Sequence, residues 1–237
     1  MKIIGIIPAR YGSSRFPGKP LADILGKSMI QRVFEQCKKA TLLSEVIVAT
    51  DDARIFNHVT EFGGKAIMTS NSHPSGTDRC NEVVQKLTEK YEIAINIQGD
   101  EPYINPEQID QIASLFSESG VSIATLVKKI EDKNLLTDIN SPKAIFNTNG
   151  IAINFCREIT DISNEKTYFK HIGIYGYLTE TLAEICKLPP SDNEIKERLE
   201  QLRWLDNKYL IKVGITTHEG LSVDTPKDIE KIKAQMG

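Results

Sequence analysis

The run Ile3–Ile7 (IIGII) constrains the fold of this chain more than any other stretch. It is wholly apolar, too short for a typical helix, and lacks the polar–apolar alternation of a strand with one wet face. Such a strand must be covered on both sides, as strands of a parallel sheet are. Glu45–Thr50 (EVIVAT) and Glu92–Ile97 (EIAINI) repeat the pattern, with helical spacing between them. Met29, Ile30, Val33, Phe34 and Cys37 recur at helical intervals behind Ser28, a good N-cap. Ala53–Phe62 reads as a second helix, closed by Gly63-Gly64. Ala66–Met68 is a brief strand, and a helix runs from the loop Asn71–Arg79 through Lys90. Pro106–Phe116 is helical and Ser122–Val127 a strand. This alternation predicts an α/β fold: a mostly parallel, Rossmann-like sheet of right-handed βαβ units flanked by helices.

From Lys143 the pattern changes. Lys143–Asn147 and Ile151–Phe155 bracket Thr148-Asn149-Gly150, an Asn-Gly hairpin signal that predicts a smaller antiparallel lobe. Glu131–Thr137 is polar and helical or irregular, and Asp161–Lys166 is a polar connection. Lys170–Leu178 is strand-like, Thr179–Cys186 helical, Glu194–Trp204 a long charged helix and Leu210–Ile215 a strand. Thr225 and Pro226 open the last helix. The chain divides into a first part, about 1–140, a lobe, 141–215, and a return with the final helix, 216–237, all within one domain.

At 237 residues, 40% hydrophobic and 26% charged, the chain has the composition of a soluble globular protein with a substantial core. A net charge of -3 argues against a nucleic-acid surface. No apolar run approaches the roughly 20 residues that span a bilayer, so no membrane insertion is expected. The N-terminus enters a strand directly, without the form of a signal peptide. Cys37, Cys80, Cys156 and Cys186 form no CxxC pair; they read as free thiols of a cytoplasmic protein, without zinc.

Between the first strand and the helix at Ser28 lies a loop dense in Gly, Ser, Arg and Lys. Arg10, Arg15 and Lys19 supply three cations, Gly12 and Gly18 let backbone amides approach a ligand, and Ser13 and Ser14 add hydroxyls. Neither GxxxxGK[ST] nor GxGxxG is present. An exposed basic loop is the bland alternative. Strand, glycine spacing and three cations together suit a polyphosphate. Asp51 and Asp52 end the second long strand, where open α/β sheets bind ligands, although Asp52 also fits the cap of the next helix. Ser75, Gly76 and Thr77 offer small donors at a helix start, and Arg79 adds a cation; alone, they describe a capped helix. His73, beside Pro74, reads as an exposed loop histidine rather than a catalytic base.

The stretch PARYGSSRFPGKPL (Pro8–Leu21) resembles the N-terminal signature of the sugar-nucleotide cytidylyltransferases. Later segments are similar in order: ATDD (Ala49–Asp52), SGTDR (Ser75–Arg79), NIQGDEP (Asn96–Pro102), HIGIYGY (His171–Tyr177), LEQLR (Leu199–Arg203) and VDTPKD (Val223–Asp228). HIGIYGY followed by LEQLR narrows the resemblance to the branch that activates 3-deoxy-manno-octulosonate (Kdo). The resemblance spans about Ile3 to Ile229 and implies a nucleotidyltransferase sheet with an acceptor and dimerisation lobe. It also implies CTP and a 2-keto sugar acid as substrates, a homodimer, and a role in lipopolysaccharide biosynthesis.

It implies residue roles too. Arg10, Ser13 and Lys19 would contact the CTP phosphates, with Arg15 close to the transferring group. Gln98 would read cytosine, its amide offering a donor and an acceptor. Ser75, Gly76 and Arg79 would support base and ribose. Arg157 would meet the Kdo carboxylate, with His171, Tyr175, Glu200 and Gln201 around the sugar, whose 2-hydroxyl would attack the α-phosphate. Mg²⁺ needs hard oxygen ligands, and Asp100 and Asp224, 124 positions apart, are the candidates for it. Asp224 also suits a helix cap, His171 and Tyr175 strand packing, and Glu200 and Gln201 a solvated helix face.

The sequence departs from the family where Arg157 is followed by Glu158-Ile159-Thr160-Asp161, and the segment to His171 is short. Lys143 follows Pro142 instead of an aliphatic residue. These changes fall in the acceptor lobe. They leave open an acceptor other than Kdo, such as an amino-Kdo or a sialic-acid-like sugar. A non-catalytic nucleotide-binding relative is the alternative from another class; retention of the loop cations and both aspartates argues against it.

Overall fold

The structure is a computed structural model that describes residues 1–12, 16–159, 162–163 and 165–236. In chain order the strands and helices are β1 (Ile3–Ala9), β2 (Asp23–Ile24), β3 (Lys27–Ser28), α1 (Met29–Cys37), β4 (Glu45–Thr50), α2 (Ala53–Glu61), β5 (Ala66–Met68), α3 (Gly76–Lys86), β6 (Ile93–Asn96) and α4 (Pro106–Leu115). They continue with β7 (Ile123–Lys129), β8 (Lys143–Phe146), β9 (Ala152–Cys156), β10 (Phe169–Leu178), α5 (Thr179–Ile185), α6 (Asp192–Glu197), α7 (Gln201–Asp206), β11 (Ile211–Thr216) and α8 (Pro226–Met236). No helix among the described residues is long and apolar enough to cross a membrane.

The main sheet runs β11-β7-β10-β6-β1-β4-β5. β1 lies parallel to β4 and β6, β4 to β5, and β7 to β11; β10 alone in this row runs against its neighbours. The apolar run of β1 behaves as its composition demands. Ile3 and Ile7 enter one core with α1, α2 and α4, and Ile4 and Ile6 enter a second core on the opposite face with α3, α5 and α7. Complete burial stabilises by about 1.5–3 kcal/mol for each such side chain, so both faces hold the strand. A third, smaller core joins Ile24 and Met29 near the hairpin β2–β3 to Val223, Ile229 and Ile232 of the C-terminal return.

The caps follow the sequence. Ser28 accepts from the Gln31 N–H, Asp52 from Arg54, Ser75 from Asp78 and Asn105 from Glu107. Gly63, at φ 81°, closes α2. α3 ends at Lys86 instead of Lys90, because Leu87 turns to an extended conformation.

Two expectations change in form. The hairpin β8–β9 is no separate sheet: Lys143 of β8 pairs with Lys170 of β10, so the lobe grows from the main sheet. The expected helix Glu194–Trp204 is two short helices. Arg198 sits in the left-handed region at φ 55° and ends α6, and the Arg157 guanidinium accounts for the break. Its Nε and one terminal nitrogen donate to the carbonyls of Glu197 (2.6 Å) and Arg198 (2.9 Å), groups that a continuing helix would have bonded itself.

Candidate functional site

A cavity of about 480 Å³ opens at the C-terminal ends of β1 and β6, where parallel sheets bind ligands. Three segments build it: Pro8, Ala9, Arg10 and Gly12 after β1, with Lys19 and Pro20; His73, Ser75, Gly76 and Arg79 at the start of α3; and Gln98, Gly99 and Asp100 after β6. The strand ends lie close together. A Cβ on Gly99 would stand 2.6 Å from the Pro8 carbonyl oxygen, so only glycine fits there.

The loop after β1 is folded onto itself. The Gly18 N–H donates to the Tyr11 carbonyl at 2.9 Å, and Gly18, at φ 72°, lies under the Tyr11 ring. Arg54 stacks on that ring, 3.3 Å from its centroid. Lys19 follows on a short 3₁₀ turn that carries its side chain inward. Its Nζ donates to Asp100 Oδ2 at 2.7 Å and to the Val223 carbonyl at 2.8 Å. The Val223 N–H in turn donates to the Asp100 carbonyl at 2.9 Å. Asp100 and the residue before Asp224 are therefore joined twice, once directly and once through Lys19. Asp228, in the first turn of α8, accepts from the Asp224 and Thr225 N–H groups and fixes the chain there.

The two aspartates fit a Mg²⁺ site by donor chemistry. Both are carboxylates, on backbone segments that are hydrogen-bonded to each other, and substrate oxygens would complete the shell. Among the described residues no group of three or more His, Cys, Asp or Glu could hold a metal by itself. Beside Asp100, Glu101 is buried, and burial with the Asp100 charge pushes its carboxyl up to about 7.

Arg79 has a different surrounding from a free pocket cation. It is buried and donates to Asp51 at 3.0 Å and to the Thr69 hydroxyl, which ties α3 to the end of β4. Asp52 takes the cap role. Ser75 caps α3 and donates to Asp78 at 2.7 Å, and Gln98 lines the cavity directly after β6. Ser13 and Arg15 lie outside the described residues.

A second cluster lies against the other side of the α3 start. His171, Tyr175 and Trp204 form a chain of rings with centroids 5.2 and 5.1 Å apart. Thr77 donates to Glu200 Oε2 at 2.8 Å, and burial raises the Glu200 pKa. Burial drives His171 down to about 3, so it is neutral. Its Nε2 lies 2.9 Å from the Thr125 hydroxyl, whose proton goes to the Ile174 carbonyl, so Nε2 carries the hydrogen. Asn96, Tyr175, Tyr177 and Gln201 each keep a buried polar atom without a hydrogen-bond partner. Buried polar groups are rarely left so, and their gathering here marks a place built for a polar ligand. Asn96 and Tyr177 were not legible as site residues; their one signal was proximity to Gln98 and Tyr175.

Arg157 is not part of this cluster's hydrogen bonding. Besides the carbonyls of Glu197 and Arg198 it donates to that of Ile139 at 2.7 Å. The buried Lys143 ammonium lies alongside, donating to the carbonyls of Asp138 (2.7 Å) and Arg157 (2.6 Å).

This arrangement, a parallel sheet with a cationic cleft at its strand ends and a polar cluster beside it, is that of a nucleotidyltransferase. The Cytidylyltransferase family model matches residues 4–214, and the chain belongs to that family. It is 52% identical to the 3-deoxy-manno-octulosonate cytidylyltransferase of Parabacteroides distasonis, covering 99% of this chain and 98% of the relative. Identity to the enzyme of the same name from Cytophaga hutchinsonii is 48%, over 98% and 96% of the two chains. A solved structure of CMP:2-keto-3-deoxy-manno-octonic acid synthetase complexed with CTP superposes with a TM-score of 0.94 at 41% identity, covering 100% of this chain and 98% of that one. A 4-diphosphocytidyl-2C-methyl-D-erythritol synthase from Anaerococcus prevotii, 12% identical with a TM-score of 0.66 over 99% and 98% of the chains, shares the fold.

Proposed function

We propose that this chain transfers CMP from CTP to the 2-hydroxyl of Kdo and releases pyrophosphate. The observation that carries the reading is the position of the α3 start between two sites. Ser75 and Gly76 face the cationic cavity, and the next residue, Thr77, holds Glu200 in the cluster of unpartnered polar groups. A nucleotide in the first site and a sugar acid in the second would meet at this helix.

The sugar 2-hydroxyl oxygen forms a bond to the α-phosphorus and gives up its proton to solvent, and the bond from that phosphorus to the bridging oxygen breaks towards pyrophosphate. Arg10 and Lys19 supply cations for the polyphosphate, and Arg15 and Ser13 add to them from the same loop. Gln98, at the end of β6, presents its amide to the cytosine edge. Tyr175, Tyr177, Gln201 and Glu200 orient the sugar, and the neutral His171 exposes no charge to it. Asp100 and Asp224 would hold Mg²⁺, which supplies further positive charge to the phosphates. Alignment of the hydroxyl with the leaving group is the protein's main contribution.

The same reading includes a homodimer. Ile145 and Ile153 on the β8–β9 hairpin and Ile195 on α6 are exposed apolar residues of the lobe, and a symmetric partner would cover them.

Pyrophosphate release from CTP and Mg²⁺ with a panel of sugar acids tests the function. One pyrophosphate per CMP-sugar, with Kdo fastest, is expected. Silence with every acceptor while CTP binds would sink the transferase reading. A different 2-keto sugar acid is the second reading, favoured by the Arg157 guanidinium, which lies on three carbonyls. A faster reaction with such an acceptor would establish it.

A further inference from the structure

His73 sits in the connection between β5 and α3 and lines the cavity beside Ser75 and Gly76. From its sequence context it reads as an exposed loop histidine, but its side chain is only 19% exposed. In the fold it is held by a partner from the second turn of the helix that follows. Its Nε2 is hydrogen-bonded to Glu82 Oε2. Glu82 also accepts from the Ser70 N–H at 2.8 Å and pairs with Lys86 at 2.7 Å. Burial works to raise the Glu82 pKa, but Lys86, His73 and the Ser70 amide together bring it to about 2. It is a carboxylate throughout the working range, and a carboxylate only accepts.

The tautomer follows. Nε2 must carry the hydrogen, so in the neutral ring Nδ1 holds the free lone pair. None of the described residues hydrogen-bonds Nδ1. The ring is thus a wall residue with one nitrogen fixed by the protein and the other left as an acceptor. Arg10 and Lys19 come from the β1 loop, whereas His73 and Ser75 come from the α3 loop, whose own cation lining the cavity, Arg79, is paired with Asp51 at 3.0 Å. A ligand with an anionic and a neutral half would turn the neutral half towards the latter. On a cytidine triphosphate the hydrogen-bond donors of that half are the ribose hydroxyls and the cytosine amino group.

We propose that Nδ1 of His73, oriented by Glu82, accepts a hydrogen bond from a donor on the nucleoside half of the bound nucleotide and so contributes to nucleotide selection. The inference rests on the cavity being the CTP site. It makes His73 a specificity residue and Glu82 the positioning residue behind it. A purely structural pin between loop and helix would need only the Nε2–Glu82 bond.

Two substitutions separate these roles. In His73→Gln the side-chain amide reaches the Nε2 position and can still donate to Glu82, but no acceptor remains near Nδ1. In His73→Asn the amide oxygen can occupy the Nδ1 position, but the bond to Glu82 is lost. Equilibrium binding of CTP, 2′-deoxy-CTP, 3′-deoxy-CTP and UTP, without acceptor, is measured for wild type and both variants. Wild type is expected to prefer CTP over one of these analogues by about tenfold, as one unmatched hydrogen bond implies. That analogue names the donor: a ribose hydroxyl if deoxy, the amino group if UTP. In His73→Gln the preference falls to about twofold or less, and in His73→Asn part of it returns. Unchanged ratios in His73→Gln overturn the proposal, as does a wild type that prefers CTP over none of the analogues. Ring-nitrogen NMR on wild-type protein gives an independent reading if a variant does not fold. The Nδ1 resonance of His73 should move on adding CTP and stay on adding pyrophosphate; no movement with CTP overturns the proposal. A wild type that binds no CTP at all overturns the nucleotide reading of the cavity as well, and that failure is distinct because no acceptor is involved.

Discussion

Lys19→Met should make the protein a better metal binder and a worse enzyme. In the free protein the Lys19 ammonium is engaged by Asp100 at 2.7 Å and by the Val223 carbonyl at 2.8 Å. A metal at Asp100 must therefore compete with a cation already in place. The Lys19 side chain is 15% exposed and that of Asp100 30%, so the pair is shielded from solvent but not dry. A hydrogen bond between charged groups contributes roughly 1.5–3 kcal/mol, and partial exposure favours the lower end. Releasing Asp100 from about 1.5 kcal/mol of prior engagement corresponds to roughly tenfold tighter metal binding. Mn²⁺ serves as the probe, with free ion counted by electron paramagnetic resonance in the absence of nucleotide. Turnover with CTP should meanwhile fall on the order of 100-fold, the usual loss when one donor to a developing oxyanion is removed. The Val223 carbonyl also loses its partner, which costs about 1 kcal/mol and a few degrees of melting temperature in a chain of this size. Unchanged or weaker Mn²⁺ binding in a folded Lys19→Met protein would refute the competition. Unchanged turnover would place Lys19 outside the phosphate site.

Further outcomes follow from the same geometry. Asp100→Asn and Asp224→Asn should each nearly abolish turnover with circular dichroism unchanged, since an amide is a poorer Mg²⁺ ligand of similar size; wild-type turnover in Asp224→Asn would reduce that residue to part of the last cap. Gly99→Ala should lower CTP affinity and melting temperature together, because the new Cβ meets the Pro8 carbonyl at 2.6 Å and the ends of β1 and β6 must part; normal CTP binding would show that they can. His171 has a folded pKa near 3 against an ordinary 6.5, so its contribution is present above about 6.5 and lost as pH falls towards 3. The loss is roughly 1 kcal/mol per pH unit, visible in urea midpoints between pH 7 and 5; His171→Gln with the same slope would assign the effect elsewhere. Light scattering should give twice the 26.5 kDa chain mass, and Ile153→Asp should return it towards one chain; a wild-type monomer would leave Ile145 and Ile153 uncovered and end the dimer reading.

Most of the fold was legible because its signals are local. An apolar run such as Ile3–Ile7 requires cover on both faces wherever it sits, and helix caps such as Ser28, Asp52 and Ser75 bond amides two or three residues away. The resemblance also placed the cavity's walls, since Arg10, Lys19, Ser75, Gln98 and Asp100 lie on short segments that end strands or begin helices. What the sequence could not show is which partner each polar group takes. Arg79 had the form of a pocket cation and became the partner of Asp51; Arg157 had the form of a carboxylate reader and lies on three carbonyls, breaking a helix that the residue pattern predicted as continuous. The sequence alone determined the alternation of strands and helices and the chemical types near the strand ends. Only the tertiary structure decided that Lys19 is shared between Asp100 and a carbonyl 204 residues away, that Glu82 sets the tautomer of His73, and that buried polar atoms of Asn96, Tyr175, Tyr177 and Gln201 gather without partners among the described residues. The physical reason is the same in each case. Periodicity and capping act along the chain, whereas hydrogen-bond partners and burial depend on what the fold brings across it.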